Sequence, residues 1–340
     1  MTSQDSQNIN TSNGNTVAAI LDSYVALFDK TRGGDLETRK KAYQLVANHF
    51  YDLVTDFYQF GWGDAFHFAP RKRGESLLSS LARCEQYLAD KLGLKSGNSA
   101  LDIGCGVGGP LSEIARYSGA NITGINNNAY QVSKVKKKLL NLGLDKQCNV
   151  VKGDFMQMSF DNNTFDAAYT LEATPHAPDK RGVYREIFRV LKPGGLFVGD
   201  EWCVTDLYNP DNTEHLRLKS GIEIGNGLPE LATTHEVISA LQDAGFEVVE
   251  SSDNAAKSDP GMPWYRALEG RDFNLMSIPR TPAGRKITNI STRFLEHMGV
   301  FPKGTSAVST LLNHAADDLV AAGKIGIFTP LFYFKAKKPL

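Results

Sequence analysis

Long apolar runs are missing from this chain. A membrane-spanning helix needs about 20 consecutive apolar residues. The stretch from Val17 to Phe28 is interrupted by Asp22 and Ser23 and ends at Asp29, so it falls short. The opening MTSQDSQNINTSNGNT lacks both the basic start and the apolar centre of a signal peptide. Cysteine is scarce: Cys84, Cys105, Cys148 and Cys203 form no C-x-x-C pair and stand at no metal-ligand spacing to histidine. A disulfide scaffold and a structural zinc site are thereby excluded, no metal is expected, and a reducing compartment fits. Charge of one sign is not in excess. Lys plus Arg is 37 and Asp plus Glu is 38, a net charge of -1, which argues against a nucleic-acid partner. Sequons such as Asn121-Ile-Thr carry no expectation of a glycan in a chain without a secretory signal. The expected setting is cytoplasmic, with docking on a membrane surface left open.

What is present is a core-forming composition. The 340 residues are 41% hydrophobic and 22% charged, enough for about two globular domains. Residues 1–14 are Ser/Thr/Asn/Gln-rich and read as a disordered tail. Residues 15–31, 36–58 and 72–95 carry apolar residues at three- and four-residue spacing, the mark of helices. From Ser99 the pattern changes. SALDIG, NITGIN, NVVKGD, FDAAYT and GGLFVGDEW are short apolar runs separated by helical stretches. That alternation predicts an α/β fold, a doubly wound parallel sheet covered on both faces. FEVVES (246–251) continues the series after a helix at 234–244, residues 255–324 read as mostly helical, and FYFKAKK (332–338) reads as a last strand.

Between the first strand and its helix lies LDIGCGVGGP (101–110), in which Gly104, Gly106 and Gly109 match G-x-G-x-x-G. Glycines let a ligand approach the backbone, and the following helix N-terminus offers unpaired N–H groups. Dinucleotide-binding folds use the same turn. Three details favour S-adenosylmethionine over NAD. Asp102 sits on the strand, where a carboxylate can reach a methionine ammonium but would repel a pyrophosphate. The second strand ends in Asn126 rather than the acid that holds an NAD ribose. Asp154 ends the third strand and Phe155 follows, a pair that resembles the adenine site of class I methyltransferases, as does Leu191-Lys192-Pro193-Gly194-Gly195 before a later strand.

Residues 57–68 read FYQFGWGDAFHF, with Phe57, Tyr58, Phe60, Trp62, Phe66 and Phe68 aromatic in a chain that is 10% aromatic overall. Gly61 and Gly63 argue against a helix here. Two readings stand: a plug of the core, or a lining for an apolar substrate that passes through a cation, which aromatic faces stabilise by about 0.5–2 kcal/mol each.

The segment resembles the Y-E-Y-G-W-G-x-S-F-H-F signature of sterol C-24 methyltransferases. The resemblance spans roughly residues 40–340 and includes GINNNAYQV (124–132), LEATPHAPD (171–179), YREIFRVLKPG (184–194), EWCVTDLYNPDN (201–212), IEIGNGLPE (222–230), PWY (263–265) and IFTPLFYF (327–334). It implies a class I methyltransferase core at 91–254, an N-terminal helical lid with the aromatic box at 15–90, and a C-terminal sterol methyltransferase domain at 255–340. It implies methyl transfer from S-adenosylmethionine to the C24=C25 double bond of a sterol side chain. Tyr58, Phe60, Trp62 and Phe66 would supply π faces. Asp56, Glu172 and Glu223 would be the carboxylates for cation steering or deprotonation, and His67 and His176 match the family's histidines. His176, between Pro175 and Pro178, equally suits a structural turn. The cofactor would be held by Asp102, Gly104, Cys105, Gly106, Gly108, Asn126, Asn127, Gln131, Asp154, Phe155 and Glu172, with Cys105 packing rather than attacking.

The chain departs from the family pattern at Gln59 and Phe60 (for Glu and Tyr), Ala65 (for Ser), Ala129 (for an acid), Pro175 (for Cys) and Asn226 (for Asp). Another alkene, such as squalene, is the alternative substrate, and a lipid-binding protein without catalysis the reading from another class. The resemblance further implies residence at the endoplasmic reticulum, peripheral membrane contact and a homo-oligomer. The segment 15–31 and the run Lys335-Ala336-Lys337-Lys338 are the sequence's candidates for touching a bilayer, a solvated tail being the other reading of the latter.

Overall fold

The computed structural model describes residues 16–271 and 275–340, so the expected disordered tail at 1–14 lies outside the described residues. In chain order come helices α1 (Val17–Ala26), α2 (Leu36–Lys41), α3 (Tyr43–Gly61) and α4 (Leu77–Leu92). Then follow β1 (Ser99–Ile103), α5 (Gly109–Ser118), β2 (Asn121–Asn126), α6 (Ala129–Asn141) and β3 (Cys148–Lys152). Next are β4 (Phe165–Leu171), α7 (Lys180–Val190), β5 (Leu191–Val204) and α8 (Thr213–Asn226). The chain continues with β6 (Ala232–Thr233), α9 (Thr234–Asp243) and β7 (Glu247–Asp253). It ends with α10 (Pro282–His297), α11 (Thr305–Ile325) and β8 (Phe328–Lys337).

These elements form two compact units that interleave along the sequence. Among the described residues, one contains those up to Gly61, Pro210–Pro229 and Tyr265–Ile325; the other contains Trp62–Asn209, Glu230–Trp264 and Gly326–Leu340. Segments 15–90 and 255–340 each contribute to both.

The second unit is built on one sheet in the order β3-β2-β1-β4-β5-β8-β7, with β6 beside β5. The strands β1 to β5 run parallel, and β8 is antiparallel to both β5 and β7. This is the expected doubly wound α/β architecture. Alternation along the strands sends neighbours to opposite faces. Phe197 and Phe334 join Tyr184, Ile187, Leu241 and Phe246 on one side, while Val198 and Tyr333 join Leu88, Ile114 and Val135 on the other. The order reverses between β1 and β4, so their C-terminal ends form the crevice where such sheets take ligands.

The first unit is helical. Thr16 caps α1 by accepting from the Ala19 N–H. Val17, Ile20 and Tyr24 of α1 pack with Val46, Phe50 and Val54 of α3 and Val308 of α11, and the Tyr24 hydroxyl donates to the Ile224 carbonyl. The apolar face of the N-terminal segment therefore serves this core.

Three expectations change. The helix expected over 36–58 is two helices, broken at Ala42, whose φ of -100° and ψ of 18° leave the helical basin. The aromatic segment is helical in its first half, because α3 runs to Gly61 and a glycine is tolerated at a helix's last position; the chain turns after it, with Gly63 at φ 100°. The basic run at the C-terminus is no solvated tail. Lys335 and Lys337 lie in β8. Lys338 is buried, its Nζ donating to Asn163 Oδ1 at 2.8 Å and to the Phe188 and Leu191 carbonyls at 2.8 and 2.7 Å.

Candidate active site

The turn after β1 is shaped by glycines whose φ values, +74° at Gly104, +51° at Gly106 and +78° at Gly108, are left-handed and favour glycine. Space is as tight as the backbone is unusual. A Cβ on Gly104 would lie 2.2 Å from the Ala173 Cβ, and one on Gly109 would lie 2.2 Å from the Asp64 carbonyl oxygen. Gly108 caps α5, whose first-turn N–H groups open toward the turn. Asn126 ends β2 and donates from Nδ2 to the Gly106 carbonyl at 3.2 Å and to Gln131 Oε1 at 2.8 Å. Asn127 follows, half-buried, before Asn128 caps α6. Asp154 lies just beyond β3 and accepts from the Met156 N–H at 2.9 Å, which holds the turn that carries Phe155. Cys105 is buried beside Gly124. Burial pushes its thiol well up, so it stays protonated and packs.

Asp102 is buried on β1 and accepts from the Tyr169 hydroxyl at 3.0 Å. Burial, partly offset by that hydrogen bond, raises its carboxyl to about 7.

The second half of the aromatic segment lies over the glycine turn. The Asp64 carbonyl faces Gly109, and the Phe66 ring comes within 3.9 Å of where a Gly106 Cβ would stand. Lys138 of α6 fixes this cover by an ion pair with Asp64 at 2.8 Å.

Next to it sits a buried polar cluster. Glu172 follows β4 at φ 56°, a left-handed conformation that strains a residue with a side chain. Its Oε1 accepts from the Phe68 N–H and its Oε2 from Trp202 Nε1–H, both at 2.6 Å. Burial nevertheless raises Glu172 to about 8, against the lowering effects of His67 and those two donors. His67 faces acceptors on both ring nitrogens: Phe68 O at 2.6 Å from Nδ1 and Glu85 Oε1 at 3.0 Å from Nε2. Only the imidazolium can donate to both. Burial works against that charge, but Glu85 outweighs it, and His67 is raised to about 9. Asp200 completes the cluster, raised by burial to about 6.

Around these groups aromatic rings meet, edge-on except for the tilted pair Phe68–Trp202. Phe68 lies 5.3 Å from Trp62, 6.0 Å from Trp202 and 5.0 Å from Trp264 by ring centroids, and Phe328 lies 5.3 and 5.7 Å from Trp202 and Trp264. The chain's 3 tryptophans thus meet in one cluster of the sheet unit.

The expected residues divide between the units. Trp62, Phe66, His67, Glu172 and His176 belong to the sheet unit, with His176 buried in the single turn Thr174–His176. Asp56, Tyr58, Phe60 and Glu223 belong to the helical one. There Asp56 is exposed and the Phe60 ring is 69% exposed at the end of α3. Tyr58 reaches Asn226 Oδ1 at 3.5 Å, and burial holds its hydroxyl protonated far above neutrality. Glu223 is buried and paired with Lys219 one turn earlier. Asn226, where the family pattern has Asp, donates from Nδ2 to the Ile222 carbonyl at 2.8 Å, a bond an ionised carboxylate lacks.

Sequence reasoning missed Glu85, Asp200, Trp202, Trp264 and Phe328 as members of the site. Trp202, Trp264 and Phe328 lie in the runs EWC, PWY and IFTPLFYF, and the clue was that all three tryptophans occur in such runs. Glu85 and Asp200 gave no signal, being an ordinary acid on an amphipathic helix and a strand residue.

Residues 101–199 match the methyltransferase domain family, and residues 275–340 match the family described as sterol methyltransferase C-terminal. A cycloartenol-C-24-methyltransferase of Arabidopsis thaliana is 50% identical over 307 residues, 90% of this chain and 91% of that protein. A sterol 24-C-methyltransferase of Saccharomyces cerevisiae is 44% identical over 324 residues, 93% of this chain and 84% of that protein. Among solved structures, the cyclopropane synthase MmaA2 from Mycobacterium tuberculosis superposes with a TM-score of 0.69 at 16% identity, covering 87% of this chain and 98% of its own. The [4+2]-cyclase SpnF does so at 0.67 and 21%, covering 88% and 97%. These two establish the fold alone.

Proposed function

The chain belongs to the sterol 24-C-methyltransferase family, and from that premise we propose that it transfers a methyl group from S-adenosylmethionine to C24 of a sterol side chain. The observation that carries this is the 50% identity along 91% of a cycloartenol-C-24-methyltransferase.

The turn after β1 fits the cofactor: Gly104 and Gly106 expose backbone at the crevice, α5 presents its N-terminus, and Asn126, Asp154 and Phe155 stand at the neighbouring strand ends. Bound there, S-adenosylmethionine supplies an electrophilic methyl on a sulfonium. The alkene needs no base to attack it, so the protein's task is alignment and exclusion of water. The cover formed by Asp64 to Phe66 over the glycine turn serves both. Attack would form the C24–methyl bond as the sulfonium S–methyl bond breaks, with S-adenosylhomocysteine as leaving group and a tertiary cation at C25 of the sterol. Aromatic faces such as Trp62, Phe68 and Trp202 stabilise it without forming a bond. A hydride shift and loss of a proton then give the new alkene.

Of the three acids expected to take that proton, we favour Glu172. It is buried among the rings, its oxygens are oriented by two donors, and its raised pKa suits a base near neutral pH. Asp56 is exposed, and Glu223 is held by Lys219. His67 and Glu85 act as a fixed ion pair that favours the charged form of Glu172.

The family resemblance supports self-association and a peripheral place on the endoplasmic reticulum; among the described residues no helix is long and apolar enough to cross a membrane. The test is a methyl-transfer assay with zymosterol, cycloartenol, desmosterol and squalene in detergent, products identified by mass spectrometry. A methylated sterol is expected. Methylation of squalene alone would move the enzyme to the triterpenes, and no transfer with cofactor bound would overturn the reading.

A further inference from the structure

Helix α10 is built inside out. Its inward side is small and polar: Gly284 and Thr292 are buried, Asn289 Nδ2 donates to Thr310 Oγ1 at 3.2 Å, and Arg285 pairs with Asp317 at 2.7 Å. Its outward side is apolar. Ile287, Ile290, Phe294 and Met298 are 64%, 67%, 61% and 61% exposed. At about 100° per residue they fall within roughly 80° of arc. Val300 and Phe301 extend the stripe past the helix end, also exposed. A helix of a globular protein normally turns such a stripe to its core.

The charges beside the stripe are of one sign. Lys286 and Arg293 border one edge of it and Lys303 follows it, all exposed. Between 282 and 304 the one acid is Glu296, which is committed inward, accepting from the Gly304 and Ser306 N–H groups at 2.9 Å each. Basic residues beside an exposed apolar stripe are the signature of a helix that lies in the interface of an anionic bilayer.

We propose that the outward face of α10 and the turn after it dock the protein on a phospholipid bilayer carrying anionic headgroups. The surface is distinct from the two segments the sequence offered, since α1 faces its own core and Lys338 is buried. The inference deepens the proposed function, on whose membrane-resident substrate the choice of a bilayer over a second copy of the chain partly rests.

The test is co-sedimentation of the full-length protein with phosphatidylcholine vesicles, with and without phosphatidylserine, in the absence of cofactor and sterol. Binding to the anionic vesicles is expected. Ile290→Asp with Phe294→Asp should reduce it at least tenfold. Lys286→Gln with Arg293→Gln should reduce it about fivefold per charge on anionic vesicles and leave neutral vesicles unaffected. All four positions are exposed, so thermal melting should not change. Both double variants should keep their turnover of detergent-dispersed sterol and lose turnover of vesicle-embedded sterol. Vesicle binding by Ile290→Asp/Phe294→Asp equal to the parent's would overturn the proposal. So would light scattering that shows this variant dissociating a dimer with vesicle binding intact, because a second copy would then be the occupant. Failure of the sterol reading would leave vesicle binding in place and remove methyl transfer instead, so the two failures are distinguishable.

Discussion

At Glu172 two influences oppose each other. Burial favours the neutral carboxyl, while the Phe68 N–H, Trp202 Nε1–H and the His67 imidazolium favour the carboxylate. If Glu172 takes the final proton, turnover should climb as pH rises through about 8. Glu172→Gln should lower kcat about 100-fold or more. Trp202→Phe keeps a ring but removes a donor to the carboxylate. Losing that donor raises the pKa further, so the rising limb of the kcat profile should move to higher pH; a limb that stays put would show that the indole N–H does not tune this acid. None of this coupling is visible along the chain. Glu172 was legible through its motif, but Asp200, which acts on its charge, and Glu85, the partner of His67, join it only through the fold.

The element that joins cofactor turn to aromatic box is the segment 64–66. Its carbonyl at Asp64 occupies the space a side chain on Gly109 would need. Gly109→Ala should therefore lift the cover and weaken S-adenosylmethionine binding by at least tenfold in calorimetry, while conserving the sheet, as circular dichroism would report. Unaltered binding would mean that the cover plays no part in holding the cofactor. The strands β1 to β5 were legible because buried parallel strands read as short apolar runs. Two elements read less well. The aromatic segment divides at Gly61 because a terminal glycine does not stop a helix, and α10 shows a periodicity that says helix without saying which side is covered. Likewise Lys335 to Lys338 looked like a free basic tail, because pairing with β5 and β7 is set by partners more than a hundred residues away for β5.

For the whole molecule, three buried groups of the site act in one direction. His67, Glu172 and Asp102 all have folded pKa values raised above their ordinary ones, so the native state binds more protons than the unfolded chain. For His67 the resulting stability is fully present below about 6.5 and is lost as pH rises through about 9. At 1.36 kcal/mol per pKa unit, that single group is worth on the order of 3 kcal/mol. The melting temperature should fall between pH 6 and 10, and Glu85→Gln should flatten the fall by removing the partner that holds His67 charged. A melting temperature indifferent to pH in the parent protein would exclude a charged His67. The carbon that receives the methyl group identifies the reaction. Incubating the purified protein with cycloartenol and a donor whose methyl group carries deuterium, then locating the label by mass spectrometry and NMR, tests that most directly. The expected product carries the label on a carbon attached to C24; a label elsewhere, or none in the presence of bound cofactor, would contradict it.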